Sequence, residues 1–346
     1  MNPDLAEDLY QCLEAFDPYS ATHLVRDAVD GGESIERVVT EVLAPAQHLV
    51  GERWQCGEWS IAQEHAATAI IDDLLGLLAV RIPRGRRGRI VLVSAEGEWH
   101  VTPARMAALL WRASGWQVTF LGGSTPPRHL RATLGGIRAD LVAISCTLPL
   151  ALPGVARVAD ALDDLNVPIL GGGRAFGPDP HRAEALGLSG WAGSGADAPA
   201  LFERAMDRPV RRAERLRTDD EELMLELQLP ELIVAAERRL LQRFPTVRGY
   251  DEEQRARMRE DLDYILRFAA VSLQVGDERI FHDFITWLPE VLRGHGVPPG
   301  VAAAGLEALL GVIRDLPRTT ELLEAGHRTL EPATLTDGDA DADSPS

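Results

Sequence analysis

The sequence predicts a multidomain α + α/β protein: an N-terminal four-helix bundle, a doubly wound domain on a five-stranded parallel sheet, and a C-terminal all-α domain. Three observations predict it. Residues 5–80 place apolar side chains at helical spacing in LAEDLYQCLEAF, ATHLVRDAV, IERVVTEVLAPAQHLVGERW and IAQEHAATAIIDDLLGLLAV. From residue 89 onward, five short apolar runs (IVLVSAE, WQVTFLG, ADLVAIS, VPILGG and SGWAGS) alternate with amphipathic stretches, the pattern of a parallel sheet covered on both faces. From 220 to 330 helical periodicity returns with no strand signal.

The short breaks DPYS, DGGES and QCGEWS suit antiparallel helices of a bundle. The last bundle helix should start at Ser60-x-x-Gln63, a capping box that satisfies the first N–H groups. The basic, Gly-containing run RIPRGRRGR (81–89) joins the bundle to the α/β domain, and RPVRRAERLRTDD (208–220) marks a second boundary. The expected domains are 1–84, 85–207 and 208–330. Residues 331–346, acidic and poor in apolar side chains, form an expected disordered tail.

A length of 346 residues calls for two or three domains. The net charge of −18 repels phosphate backbones, so no direct DNA binding is expected. Three scattered cysteines, Cys12, Cys56 and Cys146, make neither a disulfide framework nor a zinc site, which fits a reducing cytoplasm. No apolar run is long enough to cross a bilayer, so no membrane partner is expected either.

The sharpest chemical signal follows the first strand: Glu98-Trp99-His100-Val101-Thr102-Pro103. Thr102 and Pro103 suit the start of a helix. Glu98 and His100 then lie on a loop leaving the carboxyl end of a strand, where open α/β sheets of the Rossmann or flavodoxin-like kind bind ligands. Ser145 and Thr147 follow the third strand, and Gly172 and Gly173 follow the fourth. Hydroxyls and a glycine run at the same sheet edge let backbone approach a ligand.

In order and spacing these residues resemble the cobalamin-binding domains of methionine synthase and the mutases. That family has Asp-x-His-x-x-Gly, then Ser-x-Leu or Ser-x-Thr, then Gly-Gly. Here Glu98 replaces the Asp and Pro103 the Gly. The resemblance implies that His100 ligates cobalt from below, with Glu98 orienting the imidazole. It also implies that Ser145, Thr147, Gly172 and Gly173 contact the cofactor's nucleotide tail.

In the bundle, Trp54 precedes Glu64-His65 by nine intervening residues. Trp-x9-Glu-His ahead of a cobalamin domain resembles the light-sensing adenosylcobalamin proteins of the carotenoid-regulator type. The resemblance implies that Trp54, Glu64 and His65 cap the upper face of adenosylcobalamin. The position after the Trp, a His in those regulators, is Gln55 here. Their DNA-binding helix-turn-helix precedes the bundle and is not expected in this chain.

Helical residues 208–330 after these two domains resemble the photocobilins, photoreceptors in which a globin-like domain binds biliverdin. Asp263, Tyr264, Arg267, His282 and Trp287 supply the carboxylate, aromatic, guanidinium and imidazole groups that a bilin requires. With no Cys after Cys146, the bilin would be held non-covalently. No catalytic output signature is present, so the expectation is a non-enzymatic sensor acting through a light-dependent homo-oligomer or a partner protein. The alternative is a corrinoid methyl carrier shuttling methylcobalamin between enzymes.

Overall fold

The structure, a computed structural model, describes residues 5–207, 213, 220–294, 297–298 and 300–334. The expected linker 208–220 and tail 331–346 lie almost entirely outside those residues; the final helix runs to Thr334, four residues into the expected tail. The chain divides into two compact units, Met1–Arg215 and Leu216–Ser346.

The first unit begins with α1 (Leu5–Glu14) and α2 (Pro18–Asp30). Asp17 caps α2 by accepting from the backbone N–H groups of Tyr19 and Ser20, with Pro18 at the first turn. The next helix was expected to be continuous, but α3 (Ile35–Val38) passes through a π-helical turn, Val39–Leu43, before α4 (Ala44–Gln55). Pro45 has no N–H to give to the carbonyl of Glu41, and the wider turn takes up that mismatch. The Ser60–Gln63 capping box forms as expected at the start of α5 (Ile61–Ala79). The core of these helices includes Leu9, Leu13, Val42, Ile71 and Leu78, and Met106 and Leu109 from the following domain join it.

The α/β part contains β1 (Arg89–Ser94), α6 (Thr102–Ala113), β2 (Gln117–Phe120), α7 (Pro127–Gly136) and β3 (Leu141–Ser145). It continues through α8 (Leu152–Ala161), β4 (Ile169–Gly172), α9 (His181–Ala185), β5 (Gly190–Ala192) and α10 (Ala198–Met206). All strand pairs are parallel, in the order β2-β1-β3-β4-β5. The chain leaves β1 toward one edge and returns through β3 toward the other. That reversal opens a crevice beyond the carboxyl ends of β1 and β3, the usual ligand position in such sheets.

The second unit is helical among its described residues: α11 (Glu221–Arg243), α12 (Pro245–Arg248), α13 (Glu252–Val275), α14 (Arg279–Gly294), α15 (Gly300–Leu310) and α16 (Pro317–Thr334). Its core gathers Leu240, Leu266, Phe281, Ile285, Leu306 and Leu323. Phe268 and Phe284 stack with ring centroids 3.9 Å apart, joining α13 to α14. The Glu221 carboxylate accepts from the N–H and hydroxyl of Thr319, tying the start of α16 to α11.

Asp261 faces a narrow cavity of about 20 Å³ whose other lining residues, among them Leu240, Met258, Ile265 and Leu292, are apolar. Burial, with a smaller contribution from neighbouring Glu260, raises its carboxyl from 3.8 to about 6. Between those two pH values the folded chain holds a proton that the unfolded chain has lost, so stability falls as pH rises through the window. The loss is roughly 3 kcal/mol. Asp261→Asn should therefore raise the urea midpoint at pH 7 and flatten the stability of the helical unit between pH 4 and 6. An unchanged pH profile in the variant would show that Asp261 is not the responsible group.

Candidate functional site

The loop between β1 and α6 folds back on itself to bury an acid. Glu98 is 1% exposed, yet its carboxylate accepts four hydrogen bonds. Oε1 accepts from the backbone N–H of His100 at 2.8 Å and from His100 Nδ1 at 2.7 Å. Oε2 accepts from the N–H groups of Thr147, at 2.6 Å, and Leu148, at 2.9 Å, on the loop after β3. Burial pushes the Glu98 carboxyl upward, but the bonds from His100, Leu148 and Thr147 outweigh it and hold the group below its ordinary value.

An ionised carboxylate only accepts, so Nδ1 of His100 must carry the proton and the neutral ring presents a lone pair at Nε2. Nε2 has no partner among the described residues, and the side chain is 55% exposed. The bond from Glu98 raises the basicity of the ring despite partial burial, and the charges of Glu98 and Glu64 add to it. A buried acid gripping one nitrogen while the other faces outward is the usual support of a metal-bound imidazole.

Glu64 belongs to the first turn of α5, the helix that packs on the start of α6 through Asp72, Thr102 and Arg105. Its Oε1 accepts from the Thr68 hydroxyl at 2.9 Å, Thr68 accepts from Gln47, and His65 Nε2 stands 3.5 Å from Oε2. His65 is exposed and Trp54 half-buried. Trp99, in the middle of the motif, is 74% exposed. The two elements are tied together below the site: Asp72 of α5 accepts from the Thr102 hydroxyl at 3.1 Å, pairs with Arg105 at 3.0 Å, and its carbonyl accepts from Arg105 at 2.7 Å. Asp72 and Arg105 were not singled out from sequence. An acid and an arginine on two separate amphipathic helices carry no local signal of their pairing.

The carboxyl ends of three adjacent strands form a row of small residues. Ser94 lies beside Ser145 in register, and Ser145 beside Gly172. Ser94 is fully buried and its hydroxyl has no partner. Sequence reasoning missed it, although it ends β1 as Ser145 ends β3. Gly173 has φ +109°, and a Cβ there would lie 2.3 Å from the Cys146 carbonyl oxygen. Only glycine fits this approach. The half-buried Thr147 flanks the row and gives its N–H to Glu98. Burial first, then the Glu98 charge, pushes the Cys146 thiol well up, leaving it protonated and inert. The residues present, an imidazole nitrogen left open at Nε2 and a row of small residues at the adjoining strand ends, are compatible with a metal-bearing cofactor.

The candidate bilin residues lie on α13 and α14. Asp263 pairs with Arg267 at 2.6 Å, while Tyr264 and His282 are exposed. Trp287 neighbours Phe284, which stacks on Phe268. None of the five lines the Asp261 cavity.

Residues 5–79 match a family model described as a B12 binding domain, and residues 88–202 match a second model with the same description. These two segments are B12-binding domains. They contain the Glu64 and His100 halves of the site respectively, and cobalamin is the cofactor they imply. Over 105 residues the chain is 37% identical to the HTH-type transcriptional repressor CarH of Myxococcus xanthus, spanning 30% of this chain and 35% of that repressor. It is 23% identical to a corrinoid protein of Desulfitobacterium hafniense (strain Y51) over 215 residues, 59% of this chain and 98% of the relative. The fold resembles that of the Methanosarcina barkeri monomethylamine corrinoid protein, with a TM-score of 0.52, 17% identity, and coverage of 59% of this chain and 100% of that one.

One expectation is overturned. The net charge excluded direct DNA binding, yet a relative of this B12-binding chain is a helix-turn-helix transcriptional repressor. Net charge sums the whole surface and does not report local fields; five arginines and no acid within 81–89 show how basic one stretch of this acidic chain is. No helix of the described residues is long and apolar enough to cross a membrane.

Proposed function

We propose that this protein is a light sensor that holds adenosylcobalamin between the bundle and the α/β domain, with His100 as the lower ligand of cobalt. The observation that supports it most is the Glu98-braced imidazole with Glu64 of the bundle close enough to act on its charge. When bound, adenosylcobalamin supplies a cobalt–carbon bond that visible light breaks. His100 would offer Nε2 to the metal, Glu98 would fix the ring's tautomer and direction, and Ser145, Thr147, Gly172 and Gly173 would receive the tail. Trp54, Glu64 and His65 close the upper face. Asp72, through Thr102 and Arg105, passes a displacement of α5 directly to the helix that follows His100. The output is a change in assembly or in partner binding.

The reading extends to non-covalent biliverdin in the helical unit. Its support is the aromatic pair Phe268–Phe284 with Trp287 beside it and Arg267 on α13; with no Cys after Cys146, binding there would be non-covalent. A second reading, a methyl carrier, is favoured by the alignment that runs along 98% of a corrinoid protein.

The test is an absorption spectrum of the protein loaded in the dark with adenosylcobalamin and biliverdin, desalted, and scanned before and after green light. Retention of both chromophores with a light-driven change in the cobalamin bands is the expected result. Retained but photostable cobalamin would sink the sensor reading in favour of the methyl carrier. Loss of biliverdin on desalting would remove the bilin from it.

A further inference from the structure

A cavity of about 350 Å³ opens beside edge strand β2, away from the strand ends that carry His100 and Ser145. Its wall is formed by the 82–85 linker, α6, β2 and Ile137. Three arginines line it, Arg84, Arg89 and Arg112, together with Gln117, Thr119 and Trp116. This volume is at the lower end of the roughly 300–1,000 Å³ of small-molecule sites.

The charges around it do not balance. Of the five arginines in 81–89, Arg81 pairs with Asp30 and Arg87 with Glu203, and Arg87 also lies 5.8 Å from the Trp116 ring centre. Arg84 and Arg89 form no ion pair with a described residue, and neither does Arg112. Arg112 gives its Nε and one terminal nitrogen to the Val118 carbonyl, at 3.3 and 3.0 Å, and meets no carboxylate. Burial alone holds its guanidinium below the ordinary value. The Trp116 Nε1–H is buried with no acceptor. The nearby acid is Asp140, whose carboxylate accepts the backbone N–H of Arg89 at 2.7 Å rather than a guanidinium. In a chain of net charge −18, three guanidiniums around one cavity with no ion-pair partner among the described residues favour an anionic occupant.

We propose that this cavity binds a small phosphate-bearing anion of nucleotide size, its phosphates held by Arg84, Arg89 and Arg112 and its body set against Val118 and Ile82. Thr119 and Gln117 supply neutral hydrogen-bonding groups. The site is independent of the cobalamin reading, since it uses none of the residues at the strand ends.

Titration calorimetry of the full chain with ADP and with pyrophosphate, at physiological ionic strength, tests it. One saturable site per chain is expected for both, with affinity reduced at least about tenfold by Arg84→Ala and by Arg89→Ala. Arg86→Ala should leave affinity unchanged, because Arg86 belongs to the same basic run but does not line the cavity. Arg84 is exposed, so its variant should fold normally whatever happens to Arg112→Gln. Absence of saturable binding by either probe would overturn the proposal. An equal loss in Arg86→Ala would also overturn it, by showing attraction to the basic stretch as a whole.

Discussion

Replacing His100 with alanine is expected to weaken cobalamin binding at least about tenfold and to abolish the spectrum of imidazole-ligated cobalt. Loss of an outer partner of a metal-bound histidine alone typically costs 10–100-fold, so loss of the ligand should cost no less. The apo protein should stay folded with a modest loss of stability, because Glu98 loses the Nδ1 donor but keeps the bonds from Thr147 and Leu148, and residue 100 is a partly exposed position. Its backbone N–H would still reach Glu98. A cooperatively folding apo variant with weakened, spectrally altered cobalamin would place the effect on ligation. Unchanged affinity and spectrum would remove His100 from the cobalt.

The second large effect is expected from Glu98→Ala, and it should differ in kind. Here the fold itself loses an anchor. The carboxylate joins the loop after β1 to the loop after β3 by accepting from His100, Thr147 and Leu148. Its removal strands donors in a site that water reaches poorly, at a cost of about 3–5 kcal/mol. The lost stabilisation also has a pH signature. Because the folded state favours the ionised carboxylate, its contribution is complete above the ordinary carboxyl range and disappears as pH falls through and below it. Glu98→Ala should therefore lower the urea midpoint at pH 7 and lessen acid sensitivity. Cobalamin affinity should fall as well, because the imidazole loses both its tautomer lock and its direction. Glu98→Asp restores the residue that the cobalamin family carries there, so partial rescue of affinity is expected. A Glu98→Ala protein with wild-type stability and wild-type cobalamin uptake would contradict the role derived from its four bonds.

These two residues show how far local sequence can be read. Glu98 and His100 are two positions apart on a loop whose start and end are set by neighbours: an apolar strand before, Thr102-Pro103 after. Their contact follows from short-range geometry. Ser145 and Gly172 were legible for a related reason, since each ends an apolar strand. Ser94 ends a strand too, but a lone serine before Ala-Glu-Gly lacks the neighbouring hydroxyl or glycine that drew attention to the others. In the helical unit sequence reading named Asp263 as a bilin candidate and did not single out Asp261, the carboxyl that faces an apolar cavity; Asp263 pairs with Arg267. Two residues along a helix rotate a side chain by more than half a turn, and without a known partner face the period alone does not say which acid points inward.

The sequence by itself determined the order of elements, helices then alternating strands then helices, because side-chain period and turn chemistry act over a few residues. It also determined the chemistry of the β1–α6 loop. Only the tertiary structure decided which elements meet: that Met106 and Leu109 of the α/β domain complete the core of the bundle, and that Asp72 grips Arg105 from another helix. It likewise decided that Arg84, Arg89 and Arg112 surround one cavity with no acid among the described residues to pair them. Such contacts join residues far apart in the chain, and they are selected by the packing of whole helices against a twisted sheet rather than by any pattern written within one segment.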